Sequence, residues 1–411
     1  MDIFILIIGL AILCAIHFTI HRKILKPGFL FNFIWLVTLI LYEMKLSYIQ
    51  QDLSNKTVMI FYVCVIAFNV AVLIPELVNL KAIRFKFKKI HAKYSIEKKL
   101  RIAKYAAIGI FVIEIFYSGG VPLIWKFLGN GKTYFDFGIP SVNGALYGLI
   151  VCLGAYSIFT KSKDKYIYIL MGVLVLSRQV LISMLIEAIV YAAYSGRLKV
   201  TIKRAGVIVI AVVLGFTILG NFRSGSEIMD SVFRPKEEYN SLPSSVKWIY
   251  SYMTFSISNF NNLVSMTEGG VNHGASIASD VMPTVLVRHI KFEPEFKSNY
   301  LVSPSYNVST YLPNLYLDFG VIGIAIFNVL IGLLGYQLDK RAREVKSDKD
   351  SMLCAVYMHN IVLLFFVNMF LYLPIAIQFV YIIILFSGKH ERVAKIAAKK
   401  VDLKDEKENS R

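Results

Sequence analysis

Long apolar runs separated by short polar ones organise this chain. "TVMIFYVCVIAFNVAVLIP" extends from Thr57 to Pro75 and "AGVIVIAVVLGFTILGN" from Ala205 to Asn221, and neither contains a charged residue. Each approaches the ~20 residues a helix needs to cross the hydrocarbon core of a bilayer. The same pattern predicts eleven spans, near 2–20, 28–47, 57–80, 102–118, 143–160, 166–177, 179–196, 205–221, 313–338, 351–372 and 373–388. The sixth is short and pairs with the seventh as a tight hairpin. The first is not expected to be a cleaved signal peptide, because no basic stretch precedes it and no small-residue cleavage site follows.

Composition agrees with the pattern. The 411 residues are 56% hydrophobic and 14% aromatic, only 18% are charged, and the mean hydropathy is +0.59. A soluble surface of this size would need far more charge. The predicted fold class is an all-α polytopic membrane protein forming one integral domain over 1–411.

Charge is sorted between the loops. If the N-terminus is outside, the inner segments are 21–27, 81–104, 161–165, 197–204, 340–349 and 389–411, and they hold 33 of the 45 Lys and Arg. Basic residues are retained on the cytoplasmic side, so the expected topology is N-out/C-in. The net charge of +18 then reflects topology and not nucleic-acid binding. The basic 81–104 loop and the 389–411 tail are expected to lie against anionic headgroups. Cys14, Cys64, Cys152 and Cys354 all fall inside predicted spans, where no extracellular disulfide forms.

One non-membrane segment dominates, from 222 to 312, outside by this topology and close to neutral. Within it, "SVKWIYSYMTFSISNFNNLVSM" (Ser245–Met266) reads as a helix lying at the membrane interface, anchored by its rings. A smaller outer loop, 119–142, contains "GNGKTYFDFG". Its lysine lacks the phosphate-loop glycine, since Lys126 stands in that place. Asp-Phe-Gly occurs twice, in "YFDFG" (Tyr134–Gly138) and "YLDFG" (Tyr316–Gly320). With no glycine-rich loop and no His-Arg-Asp segment, neither copy is a kinase magnesium site. Both read instead as rims of an outer cavity.

Three arginines stand near the outer face in apolar or small-residue surroundings: Arg178, Arg223 and Arg288. The planar guanidinium bonds two phosphate oxygens at once and keeps its charge when desolvated. A diphosphate site and snorkelling to lipid phosphate are both open to each of them. A base on that side would come from His273 or His289, or from Asp136, Glu268, Asp280 or Asp318, the last partly desolvated at the start of the ninth span. Asp136, Tyr306, Asn307 and Tyr311 are candidate rim residues. Glu114 and Glu187 lie inside spans, where either proton coupling or interhelical hydrogen bonding would use them. Gly320, Gly323, Gly332 and Gly335 allow close helix approach. The outer segments contain no compact His, Asp and Glu cluster at metal-ligand spacing.

The order of features, with many spans, "SRQVLISMLIEAIVYAAY" and "GNFRSGS" before one large outer loop and "SPSYNVSTYLPNLYLDFGVIGIAIFNVLIGLLG" after it, resembles the Wzy-type oligosaccharide repeat-unit polymerases of bacteria. The resemblance covers about 138–340. It implies a glycosyltransferase of the bacterial plasma membrane working at the outer face without metal or cofactor. It would join undecaprenyl-diphosphate-linked repeat units into O-antigen, capsule or related polysaccharide. Arg178, Arg223 and Arg288 would bind the diphosphates, with His289 or Asp318 as base. The implied partners are the lipid-linked oligosaccharide, membrane lipids, a flippase and a chain-length regulator, and no nucleic acid. An O-antigen ligase and a flippase of lipid-linked oligosaccharide remain alternatives.

Overall fold

The computed structural model describes residues 2–81, 95–160, 162–201, 203–204, 229–282 and 294–388. These residues are helical, and the only extended pairings among them are two isolated bridges, Ser47 with Pro235 and Thr310 with Val367. Chain order gives α1 (Ile3–His21), α2 (Pro27–Glu43), α3 (Asn55–Leu77), α4 (Ile96–Ser118), α5 (Pro122–Leu128), α6 (Val142–Phe159), α7 (Lys165–Leu174) and α8 (Arg178–Tyr194). The described part of the large loop contributes α9 (Met229–Phe233), α10 (Ser244–Met266) and α11 (Ala275–Val281). The chain continues with α12 (Pro313–Val345), α13 (Asp348–Val362) and α14 (Leu373–Leu385).

Local chemistry sets the helix ends. Asp2, Ser54 and Ser95 cap α1, α3 and α4 by accepting backbone N–H bonds from Phe4, Thr57 and Lys98. Pro27 starts α2, and Gly119 stops α4 in the left-handed region. Five apolar helices are long enough to cross a membrane among the described residues: α1, α3, the Ile96–Leu128 segment, α6 and α12. Shorter apolar helices are α2, α7 and α14. The eighth expected span, 205–221, lies outside the described residues.

The bundle is apolar outside and carries its polar groups inside. Phe4, Ile5, Ile8 and Ile12 on α1, Ile66 and Ile74 on α3, and Ile322, Ile326 and Leu330 on α12 are exposed. Asn32, Asn69, Glu114, Glu187, Asn328, His359 and Gln378 are buried. In water that surface would aggregate, whereas lipid solvates it and leaves buried polar groups to join helices. The protein is therefore an all-helical, membrane-embedded protein. Its centre is α13, buried at every position from Met352 to Ile361.

Glycines on α12 behave as expected in part. A Cβ at Gly332 would overlap Ala71 and the Phe68 carbonyl, and one at Gly335 would overlap the Tyr357 hydroxyl. Gly320 does something else. It breaks the helix at φ 61°, ψ −155°. Glu187 serves an interhelical contact: its carboxylate lies 3.2 Å from His359 Nδ1, and His359 Nε2 lies 3.1 Å from Ser183 Oγ.

Two expectations need correction. The Ser245–Met266 segment is not a helix laid on the protein's surface. Tyr250, Phe255, Phe260, Leu263 and Val264 of α10 are buried, and Phe260 meets Phe61 and Tyr316 at ring distances of 6.0 and 5.9 Å. The rings that looked like lipid anchors fill a protein interior. Within the expected tenth span, 351–372, the helix ends at Val362, where Tyr311 N–H bonds the Leu364 carbonyl and Thr310 pairs with Val367.

Candidate functional site

Contacts between the turns sort the molecule into two ends. At one, Arg343 reaches the Leu25 carbonyl, Tyr336 reaches the Leu80 carbonyl, and Arg197 lies 3.6 Å from Asp348. At the other, the α2–α3 turn, the loop helices and the start of α12 come together.

That second end contains a cleft of about 270 Å³ lined by Tyr42, Tyr48, Ile49, Gln51, Arg234, Ser258, Asn261, Asn262 and Val302. The polar members of α10 build it. Ser258, Asn261 and Asn262 fall at helical spacing, so one stripe of an otherwise aromatic helix is made of small polar groups. Asn261 accepts from Ser54 N–H and Thr57 Oγ1 at 2.9 and 2.8 Å and donates to the Asp52 carbonyl at 3.2 Å, which fixes the α2–α3 turn. Asn259 donates to the Tyr306 and Val308 carbonyls and accepts from Val302 N–H at 2.7 Å, wrapping the 302–308 strap around the helix. Asn262 donates to the Tyr300 carbonyl at 2.8 Å.

The opposite wall is pinned by backbone. Arg234 holds a left-handed φ of 49°, and its carbonyl accepts from Tyr48 N–H at 3.0 Å. Lys236 N–H bonds the Leu46 carbonyl at 3.0 Å, and Ser47 Oγ donates to the Phe233 carbonyl. The Tyr250 hydroxyl lies 2.8 Å from the Leu41 carbonyl and accepts from Leu46 N–H at 3.1 Å. With the backbone so held, the exposed Arg234 guanidinium has no hydrogen-bond or ion-pair partner among the described residues. Ser258 Oγ is buried beside the Tyr42 hydroxyl. The cleft thus offers one guanidinium, a hydroxyl, carboxamides and the exposed Tyr48 ring. This set suits a ligand that is anionic at one point and rich in hydroxyls elsewhere.

Among the described residues, none singled out from the sequence lines this cleft. Arg223, Arg288 and His289 lie outside the described residues. Arg178 is half-buried at the first position of α8, just after its Ser177 cap. Tyr306 is buried against Phe255, with ring centroids 4.8 Å apart, and Tyr311 is buried with its hydroxyl donating to Asn328 Oδ1 at 2.8 Å. Both are interior residues and not rim residues; Asn307 beside them is exposed.

The two Asp-Phe-Gly copies differ. Asp136 is exposed and closes a capping box with Thr133, accepting its N–H at 2.7 Å and its hydroxyl at 3.0 Å. Those bonds hold the Asp136 carboxyl below its ordinary range. Asp318 is 2% exposed. One oxygen accepts from Ser276 N–H at 3.0 Å and the other from Ile277 N–H at 2.8 Å, so the carboxylate caps α11. Nearby, Gly270 and Asn272 N–H groups bond the Tyr316 and Leu317 carbonyls that the Gly320 break leaves free. Asp318 is a latch for the loop, and both its oxygens are already engaged, which corrects its expected role as a free base.

Sequence reasoning missed Arg234, Tyr48 and the carboxamides. The available signal was the Ser-Asn-Phe-Asn-Asn run, Ser258–Asn262, whose polar spacing contradicts a lipid-facing stripe. The chain matches no family model, and no curated protein and no solved structure matches it.

Proposed function

We propose that the protein is a bacterial plasma-membrane glycosyltransferase with eleven spans, N-out/C-in. It polymerises oligosaccharide repeat units carried on undecaprenyl diphosphate into O-antigen, capsule or a related surface polysaccharide. The observation that carries the reading is the cleft, where the Arg234 guanidinium, unpaired among the described residues, stands with carboxamides, hydroxyls and a tyrosine ring. The sorting of basic residues puts that end outside, where such a substrate would be met. The resemblance in the order of spans, arginines and loop supports the same reading.

In the proposed reaction an acceptor hydroxyl attacks the anomeric carbon of the donor. The new C–O bond forms as the bond to the diphosphate breaks, with inversion. Arg178, Arg223 and Arg288, with Arg234 added, stabilise the departing anion. The acceptor proton goes to a base, for which His289 is the candidate now that Asp318 is engaged elsewhere.

Deletion of the gene, followed by glycan length analysis on a gel, tests this reading. Single repeats are expected, with chain length restored by the wild-type gene and not by Arg234→Ala. Full-length polymer that stays lipid-linked would instead make the protein a ligase, and absence of any outer repeat would make it a flippase.

A further inference from the structure

The end of the bundle opposite the cleft contains a second constellation that glycosyl transfer does not use. His17 and His21 lie four residues apart on α1, on one face of the helix. Glu76 approaches them from the last turn of α3. One ring nitrogen of each histidine and one carboxylate oxygen of Glu76 lie within 4.8 Å of one another. His21 Nε2 is already 2.9 Å from Glu76 Oε2, and the two imidazoles stack with centroids 6.5 Å apart.

The surrounding hydrogen bonds fix the state of His17. Asn69 Nδ2 donates to the Val65 carbonyl at 2.8 Å and to Asn32 Oδ1 at 2.9 Å. Its Oδ1 is therefore the acceptor, and it takes Asn32 Nδ2 at 2.8 Å and His17 Nε2 at 3.0 Å. His17 Nε2 must carry the proton, so Nδ1 of the neutral ring has a bare lone pair. His17 is wholly buried, and no group among the described residues donates to Nδ1. The ring packs closely on Gly28, where a Cβ would overlap it.

A buried imidazole whose second nitrogen donates to a carbonyl oxygen is the arrangement that orients metal-bound histidines. Two imidazoles and a carboxylate form a donor set that zinc accepts with a fourth position left open, at bond lengths of about 2.0–2.2 Å. Such bonds place ligand atoms about 3.3 Å apart, which the 4.8 Å grouping can reach by small side-chain rotations. Among the described residues, Lys26 is the lysine that competes for Glu76. Its Nζ is 3.5 Å from Glu76 Oε1 but 2.7 Å from Asp339 Oδ2, so Asp339 can retain it while Glu76 turns to a metal. We propose that His17, His21 and Glu76 form a zinc-binding site that clamps α1 to α3.

The test uses the full-length protein in detergent, stripped with chelator and titrated with zinc and, separately, with cobalt(II). One zinc per chain is expected, with a rise in thermal midpoint and a cobalt visible spectrum of nitrogen and oxygen ligation. Glu76→Gln and the His17→Ala/His21→Ala pair should each weaken zinc binding at least about tenfold, the scale on which lost metal-site contacts act. Glu76→Gln keeps an acceptor for His21, so it remains informative if the double variant does not fold. Unchanged affinity in Glu76→Gln, a thiolate-to-cobalt band from the cysteines, or no zinc binding by the wild type would overturn the proposal.

Discussion

At one end of the bundle buried carboxylates are matched by cations from other helices; around the cleft the loops are held by neutral carboxamides. Lys26 lies 2.7 Å from Asp339, Arg343 Nε lies 2.8 Å from the same carboxylate, and Tyr194 donates to it as well. Arg341 pairs with Asp350 at 3.0 Å. Across the molecule Asn259, Asn261 and Asn262 bond loop backbone, and Arg234 lines the cleft with no partner among the described residues. The first arrangement fixes helices, because a buried charge tolerates no loss of its counter-charge. The second fixes loops with groups whose desolvation is less costly.

Removing a charge from each end should therefore have opposite consequences. Asp339→Ala leaves Lys26 and Arg343 without their shared carboxylate and should destabilise the protein by about 3–5 kcal/mol, read as a large fall in thermal midpoint in detergent. A small shift would show that this end is better solvated than its burial implies. Asp318→Asn weakens two charge-assisted bonds to α11 and should cost about 1.5–3 kcal/mol locally. Limited proteolysis should then cut within 267–282 before the spans are touched, and unchanged cleavage would reduce the second Asp-Phe-Gly to packing.

Asp136 gives a smaller, pH-dependent effect. Its carboxyl is depressed by the Thr133 bonds, so the turn's stabilisation is present above the unfolded carboxylate value of about 3.9 and is lost as pH falls through the folded value. Pepsin cleavage between Tyr134 and Phe137 should be faster in Thr133→Val than in wild type at about pH 4.5. The two should converge once both are protonated. The least effect on stability belongs to Arg234→Ala, within about 0.5 kcal/mol, combined with the loss of long glycan. A stability loss as large as that of Asp339→Ala would erase the contrast between the ends.

Much of this architecture is legible in the sequence, since spans are long apolar runs and need no tertiary information. The α7–α8 hairpin and the start of α12 at Pro313 fall where the pattern predicts. The reading fails where polarity and ring content compete. Helix α10 has the composition of an interfacial anchor, and only its three-dimensional neighbours show the rings to be interior. The cleft is illegible for a different reason. Tyr48, Arg234 and Asn261 are far apart in the chain and are joined by backbone hydrogen bonds, which leave no periodic trace. His17 and His21 are legible as a pair at i and i+4, but their Glu76 partner comes from another helix.

The latch at Tyr316–Asp318 also has a temporal meaning. Residues 270–277 are held by carbonyls and a carboxylate that stand some forty positions later in the chain. During synthesis from the N-terminus, α11 emerges before its anchor exists. It can dock only once the top of α12 has been inserted and broken at Gly320. The docking of α11 thus waits on α12, and later residues close the same end further, as Ser256 Oγ bonds the Phe365 carbonyl.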